Sequence, residues 1–368
     1  MRPIICCLAF VLVASAAVFV NQGGAQVRGN AAQPVVSPTI AAKTPVFAGA
    51  CKACPWGILG IVTADALKFY GYDTQICWVC ATSVGPRQVA DKTKPAMRVI
   101  PQGALPDPTV LPAYYTDPSP DAAPDFGATS ESNLIAAWNG TGDYAKDQKQ
   151  RRNYRVIAVV RTSTYMLAAA SKKSGITNLG QIKDRRQPTW IERGNDTDLI
   201  FDYYGINPEE LKAKGGGILQ SIVGGTREHR ATADVFIGTG LMANTPEQGW
   251  WNEASQLNDL VFLDFEEPLL ARLAQQPGYE SAAVPLGLLR GVDRRIPTVM
   301  RPNHFIYTRD EAPNDFAYTV AKALDEHRQL FQVQLEPWYY DPQTVSVSKV
   351  IPMHPGAMKY YRERGYVK

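Results

Sequence analysis

Four cysteines stand in two CxxC pairs, Cys51 and Cys54 in VFAGACKACPWGILG and Cys77 and Cys80 in ICWVCAT. Cysteines at this spacing can hold a thiophilic metal as thiolates, exchange disulfides, or cross-link the chain. Haem attachment is excluded, because CKACP and CWVCA lack the histidine of CxxCH. A four-thiolate zinc ribbon has the right ligand spacing, yet the stretch between the pairs reads as a helix plus a strand. Thiol exchange fits the place of Cys51 and Cys54, between a strand end and a helix start, where a helix dipole favours a thiolate by roughly 0.3–1 kcal/mol. Against it stand the length of the chain and a second CxxC lying inside a strand.

The compartment weighs on the choice. Arg2, the apolar run Ile4–Val20 and the small residues of NQGGA read as a secretory signal peptide over 1–25, cut after Ala25. Polar NQGG follows the run at once, unlike the flank of a spanning helix. Four cysteines then remain, an even number in an oxidising compartment, and disulfides are the expectation. Cross-strand bonds Cys51–Cys80 and Cys54–Cys77 would close loops of about 24–30 residues, each worth roughly 3–4 kcal/mol. Local bonds 51–54 and 77–80 stay open, because spacing does not fix connectivity.

Little else in the chain suggests chemistry. Gly-x-Ser-x-Gly, HExxH and a phosphate loop are all missing, and His229, His304 and His327 form no metal-spaced set. The chain does not read as an enzyme, and neither a cofactor nor a metal is expected. The formal charge of +3 falls to +2 without Arg2, and no basic run is interleaved with aromatic residues. A nucleic-acid partner is not indicated.

The elements that would position any site alternate between strand and helix. TPVFAGA reads as a strand, PWGILGIVTADALKFYGY as a helix with Pro55 in its first turn, and DTQICWVCAT as a second strand. This β-α-β order points to a parallel α/β sheet. Residues 26–44 read as a flexible leader, and 95–126, with eight prolines, as a long insertion. ESNLIAAWNGTGDY reads as a helix, and YRVIAVVRTSTYMLAAA as two strands around a bend at Arg161–Thr164. PTWIE, ADVFIGTG and IPTVMRPNHFIYT are further strands; a helix follows RGNDT, and a stronger one follows DEAPN.

Three stretches resemble one family, the solute-binding subunits of the TAXI branch of tripartite ATP-independent periplasmic (TRAP) transporters. They are the tail IPMHPGAMKYYRERG, then GITNLGQIKDRRQPTWI, and IPTVMRPNHFIYTRDEAPNDFAYTVAKAL. The resemblance covers about 150–368. Three ligand-lining places depart from the family: GACKACPWG, ATSVGPRQ, and Gly194-Asn195-Asp196-Thr197 where the family has Gly-Ser-Gly-Thr.

The resemblance implies a type II periplasmic-binding-protein fold, α/β in class, of two lobes joined by two crossing strands. Lobe 1 would be 45–163 plus 298–368, and lobe 2 would be 164–297. A small organic solute bearing a carboxylate would be captured between them and delivered to the integral-membrane permease subunits from the periplasm. Arg161 and Arg193 are candidate carboxylate clamps. Gly194, Asn195, Asp196 and Thr197 could offer amides and hydroxyls, or Asn195 or Asp196 could simply cap a helix. Thr82 and Ser83, at the end of one strand, and Thr239, at the end of another, complete the ligand set, with Trp56 as an aromatic wall. Asp196 and Glu192 would oppose a bare diacid, which makes an amino acid a fitting solute. His354 is expected to pack the tail onto a lobe. Two other readings compete: a periplasmic metal or thiol-redox protein using the cysteines, and a ligand-sensing subunit of a receptor.

Overall fold

Ten strands form the frame: β1 (Val46–Ala48), β2 (Gln75–Cys77), β3 (Phe126–Ser130), β4 (Tyr154–Ser171), β5 (Trp190–Arg193), β6 (Gly217–Gln220), β7 (Val235–Leu241), β8 (Leu260–Phe262), β9 (Glu280–Val284) and β10 (Ile296–Arg309). The computed structural model describes residues 36–49, 55–80, 83–95, 120–194, 196–220, 227–241, 249–334 and 339–367. The strands make one mixed sheet in the order β2-β1-β3-β10-β4-β7-β5-β6, with β8 against β4 and β9 against β10.

β4 and β10 are the spine. They run antiparallel from Tyr154–Arg309 to Tyr165–Met300. At about 3.3 Å per residue, the 18 residues of β4 reach roughly 60 Å, enough to serve two lobes in turn. On one side of β10, β3 pairs with His304–Thr308 and β9 with Ile296–Met300. On the outer side of β4, β7 pairs with Thr164–Ala170. The sheet is therefore two-lobed: β1, β2 and β3 extend it at one end of the spine, and β5, β6, β7, β8 and β9 at the other.

Both faces of the spine are covered. Along β4, Val156 and Val159 enter one core and Ile157, Ala158 and Val160 another, a break in strict alternation that coincides with the register shift between Ile306 and Tyr307. Further on, Met166 and Ala168 alternate with Leu167 and Ala169 into two more cores. A strand buried on both faces reads as a near-continuous apolar run. The runs VIAVV and MLAAA are such stretches, and RTSTY between them is not. β10 shows the same break, with Val299 and Phe305 buried in different cores and Arg301, Asn303 and His304 between them. The two polar interruptions face each other across the ladder: Arg301 pairs with Thr164, and Asn303 with Arg161.

Several expectations change. YRVIAVVRTSTYMLAAA is one strand, not two around a bend; its pairing with β10 is irregular at two register shifts, between Arg301 and Asn303 and between Ile306 and Tyr307. Residues 36–44 are no loose leader: Pro38–Ala41 is a short helix, Ile40 is buried, and Thr39 donates to Asp125 at 2.7 Å. The segment before the Glu131–Asn139 helix is strand β3, whose five residues are all buried; residues 96–119 of the proline-rich stretch lie outside the described residues. Cys77 is bonded to Cys80, so the cross-strand pairings are replaced by a local one. The pair is also not inside a strand, because β2 ends at Cys77 and a turn carries Trp78 and Val79. Cys51 and Cys54 lie outside the described residues. Among the described residues, no helix is long and apolar enough to cross a membrane.

The tail packs as expected. His354 is fully buried at the N-cap of the helix Pro355–Glu363, its Nδ1 accepting from the Gly356 N–H and its Nε2 meeting the Ala312 carbonyl, both at 3.1 Å. Asp325 takes the hydroxyls of Tyr360 and Tyr366, so the last helix is fastened to the helix Asn314–Glu326.

Candidate functional site

In open α/β sheets, ligands sit beyond the carboxyl ends of the strands. Here those ends converge. β3 finishes at Ser130, opposite His304, and β7 finishes at Leu241, opposite Thr164, the partner of Arg301. Both sets of strands thus run towards the polar interruption of the spine. Between Met300 and His304 the outer edge of β10 passes from β9 to β3. Gly278, just before β9, lies so close to Ser132 that an added Cβ would come within 2.8 Å of its amide nitrogen. The two lobes touch there, beside the gap.

Arg301 is the central group. Its guanidinium meets the Asp196 carboxylate at 2.8 Å and lies 5.9 Å from the Tyr279 ring centroid. Nε of Arg301 is buried and, among the described residues, has no hydrogen-bond partner. Asp196, in left-handed backbone with φ 59°, comes from the loop after β5. Burial pushes the Tyr279 hydroxyl above its ordinary range, against the pull of Arg301.

His304 extends the set. It is buried, and its ring lies 5.9 Å from that of Trp56, the second residue of the helix Pro55–Lys68. Burial, with the charge of Arg301, pushes the imidazole down to about 3, so it is neutral at physiological pH. Among the described residues, His304 Nδ1 and Trp56 Nε1 are both buried without partners. The Tyr279 hydroxyl is a fourth such atom, and since an unmet buried polar group costs roughly 1–3 kcal/mol, the four together mark where polar atoms of a ligand belong.

Arg161 lies on the neighbouring strand. It donates to Asn303 Oδ1 at 3.2 Å, and Asn303 Nδ2 donates to Glu131 Oε2 at 2.7 Å. Glu131 is buried in the first turn of the helix Glu131–Asn139. This chain of contacts ties both spine strands to lobe 1. The site offers donors and aromatic walls, an arrangement suited to holding a molecule.

The remaining expected residues fall as follows. Arg193 ends β5, but its Nε donates to Thr197 Oγ1 at 2.7 Å, its NH2 meets Asp198, and it lies over the Phe201 ring. It is engaged within its own loop. Thr197 is buried and is itself the helix N-cap residue, without a side-chain cap bond. The cap expected from Asn195 or Asp196 is therefore absent at Asp196, whose carboxylate goes to Arg301; Asn195 and Thr82 lie outside the described residues. Gly194 donates its N–H to the Ile237 carbonyl at 2.8 Å, and Thr239 is buried on β7. Ser83 is half-buried at the head of the helix Val84–Asp91, without a side-chain cap bond. Glu192 does not face a ligand as expected: it is wholly buried, and Arg230 meets it at 3.1 Å.

Residues 121–365 match the NMT1-like family. The chain belongs to that family. The NMT1-like family is of the periplasmic solute-binding type. The TAXI branch that three stretches of the sequence resemble is a finer assignment, which this match does not reach. Among solved structures, the chain is similar to MatC from Rhodopseudomonas palustris with bound malate, at 11% identity over 88% of this chain and 98% of that one, with a TM-score of 0.42. It is also similar to a periplasmic transporter (11%, 88% and 92%, TM-score 0.35) and to the periplasmic nitrate-binding protein NrtA from Synechocystis PCC 6803 (10%, 79% and 66%, TM-score 0.34). The family match, not these likenesses, places the chain.

Reading the sequence of this NMT1-like protein missed Arg301, Tyr279, His304, Asn303 and Glu131 as site residues. A signal for three of them was present. MRPNH is a charged and polar break inside an apolar strand, at a position where that strand was expected to cross between lobes.

Proposed function

We propose that this chain is an exported solute-binding protein that captures a small, carboxylate-bearing organic solute, an amino acid among the candidates, and delivers it to a TRAP-type permease. The lobes are 45–163 with 298–368, and 164–297, and the solute sits between them in the periplasm. The signal peptide over 1–25 exports it, and closure of the lobes presents the surface that the permease reads. One observation carries the reading: the polar interruptions of β4 and β10 coincide where the carboxyl ends of both sets of strands converge. The ligand set includes Trp56, Thr82, Ser83, Arg161, Arg193, Gly194, Asn195, Asp196, Thr197 and Thr239, joined now by Arg301, His304 and Tyr279. The membership of the NMT1-like family supports the same reading.

The test is a thermal-shift screen of the mature chain against amino acids, carboxylates, aromatic acids and divalent metals. A solute at a hundredfold excess over its Kd adds about 2.7 kcal/mol, and at least one organic solute is expected to raise Tm. A shift with metals alone overturns the reading in favour of the cysteines.

A further inference from the structure

Asp196 and Glu192, the acids expected beside an amine-bearing solute, are each met by an arginine, Arg301 and Arg230. Glu131 is not. It is only 7% exposed, at the first residue of the helix Glu131–Asn139, where β3 ends opposite His304. Its Oε2 accepts from Asn303 Nδ2 at 2.7 Å, and among the described residues the carboxylate has no other partner and no cation against it. A buried carboxylate that meets only a neutral amide is strongly disfavoured. The helix dipole, a modest term for an acid in the first turn, offsets little of that. A positive charge belongs beside Glu131.

Arg161 does not supply it. Asn303 stands between the two, its Oδ1 accepting from Arg161 Nη1 at 3.2 Å while its Nδ2 donates to Glu131. With the width of the amide included, Arg161 Nη1 and Glu131 Oε2 lie within about 8 Å of each other. A 2-amino acid carries its ammonium about 3 Å from its carboxylate oxygens, and charge-assisted hydrogen bonds of about 2.8 Å at both ends give it a similar reach. A zwitterion can therefore bridge the cation and the anion that Asn303 keeps apart. Gly278, packed against Ser132, sets lobe 2 beside the same helix end, so a solute on Glu131 is flanked by both lobes.

Resting on the solute-binding reading above, we propose that Glu131 is an ammonium-binding, specificity-determining residue, which makes this chain select 2-amino acids over 2-hydroxy acids of the same carbon skeleton. A hydroxyl in the place of the ammonium still donates a hydrogen bond to Glu131, but it leaves the charge of the carboxylate buried and unmatched. Discrimination of about ten- to a hundredfold is expected from that difference.

The experiment is a calorimetric titration of the mature chain with matched pairs: alanine against lactate, leucine against 2-hydroxy-4-methylpentanoate, phenylalanine against 3-phenyllactate, and glutamate against 2-hydroxyglutarate. The wild type is expected to bind the amino member of at least one pair about ten- to a hundredfold more tightly than its hydroxy partner. Glu131→Gln, first shown to melt cooperatively, keeps the length of the side chain and an oxygen for the Asn303 amide but removes the charge. It should weaken the amino acid by about the same factor and leave the hydroxy acid unchanged or improved, so that the preference disappears. The wild-type arm decides the matter even if the variant does not fold. Equal affinity within every pair that binds, or tighter binding of the hydroxy member, overturns the ammonium subsite while leaving solute capture standing. A preference that survives in folded Glu131→Gln does the same, as does binding of other carboxylates or of neutral solutes with silence from every pair. Silence across these pairs and across the wider screen of organic solutes overturns the solute-binding reading itself, and the subsite with it.

Discussion

Arg301 of β10 and Asp196 of the loop after β5 meet at 2.8 Å beside the gap where the outer edge of β10 passes from β9 to β3. The contact fixes a loop whose backbone is left-handed at Asp196 to the strand that both lobes share. Because 38% of the Asp196 side chain is exposed, the pair is not a fully buried one, and solvent screens it. A double-mutant cycle with Arg301→Gln and Asp196→Asn, read by urea unfolding, is expected to give a coupling of about 1 kcal/mol. A coupling near zero would make the contact incidental to the loop's position.

Glu192 supplies the pH dependence. It is buried with one oxygen against Arg230 and the other without a partner. Burial outweighs the arginine and pushes its carboxyl up from 4.5 to about 7. Between those values the folded state holds a proton that the unfolded state has released. Stability from this group is therefore fully present below about pH 4.5 and is lost as pH rises towards 7. The Glu192→Gln variant should lose that dependence, and the difference between the Tm–pH curves of the two proteins isolates it. Parallel curves from pH 4.5 to 8 would show that Glu192 stays ionised throughout.

The Cys77–Cys80 bond closes a loop far shorter than a cross-strand bond would. In the chain-entropy picture it is worth about 2 kcal/mol, against roughly 3–4 for the longer loops. Cys77→Ser with Cys80→Ser is expected to cost about that amount in urea unfolding. Both sulfurs are buried, so the native protein should also resist mild reductant. A loss beyond about 4 kcal/mol would point to a different connectivity.

His354 fastens the tail from both ring nitrogens, capping one helix and meeting the Ala312 carbonyl of the preceding segment. His354→Ala removes a cap, typically about 1 kcal/mol, and strands a buried carbonyl at about 1–3 more. A destabilisation of about 2–4 kcal/mol is expected, with ligand affinity of the folded protein unchanged. Lost affinity in a variant that still melts cooperatively would move His354 into the binding machinery.

How much of this was legible in the sequence depends on which physical signal each feature leaves. The spine was readable because a strand buried on both faces must be apolar throughout, so RTSTY and MRPNH stand out as breaks. The tail was readable from MHPGA, where the histidine precedes a proline at the first helical position. β3 was not: FGATS has no β-branched run, and only its place between β1 and β10 makes it a strand. Asp196 looked like a cap because Asp before a helix usually is one. Its true partner lies more than a hundred residues away, a distance that local pattern cannot bridge. Arg193 was singled out over Arg301 for the same reason, since a local turn is visible in sequence and a cross-lobe contact is not.

Gly238 and Gly194 give the most direct probe of whether the loop carrying Asp196 matters. Gly238 lies on β7 against the chain just past β5, and a Cβ there would come within 2.6 Å of the Gly194 Cα. The obstacle is backbone, which cannot rotate aside as a side chain can. Gly238→Ala must therefore push Gly194, and with it Asp196, away from Arg301. Tertiary packing in this lobe rests on Met166, Ile191 and Val235, which the substitution leaves in place. The variant should keep a cooperative melt, with Tm lowered by a few degrees, and should lose solute affinity by about tenfold or more. Full affinity in a folded Gly238→Ala protein would show that the position of this loop does not set recognition.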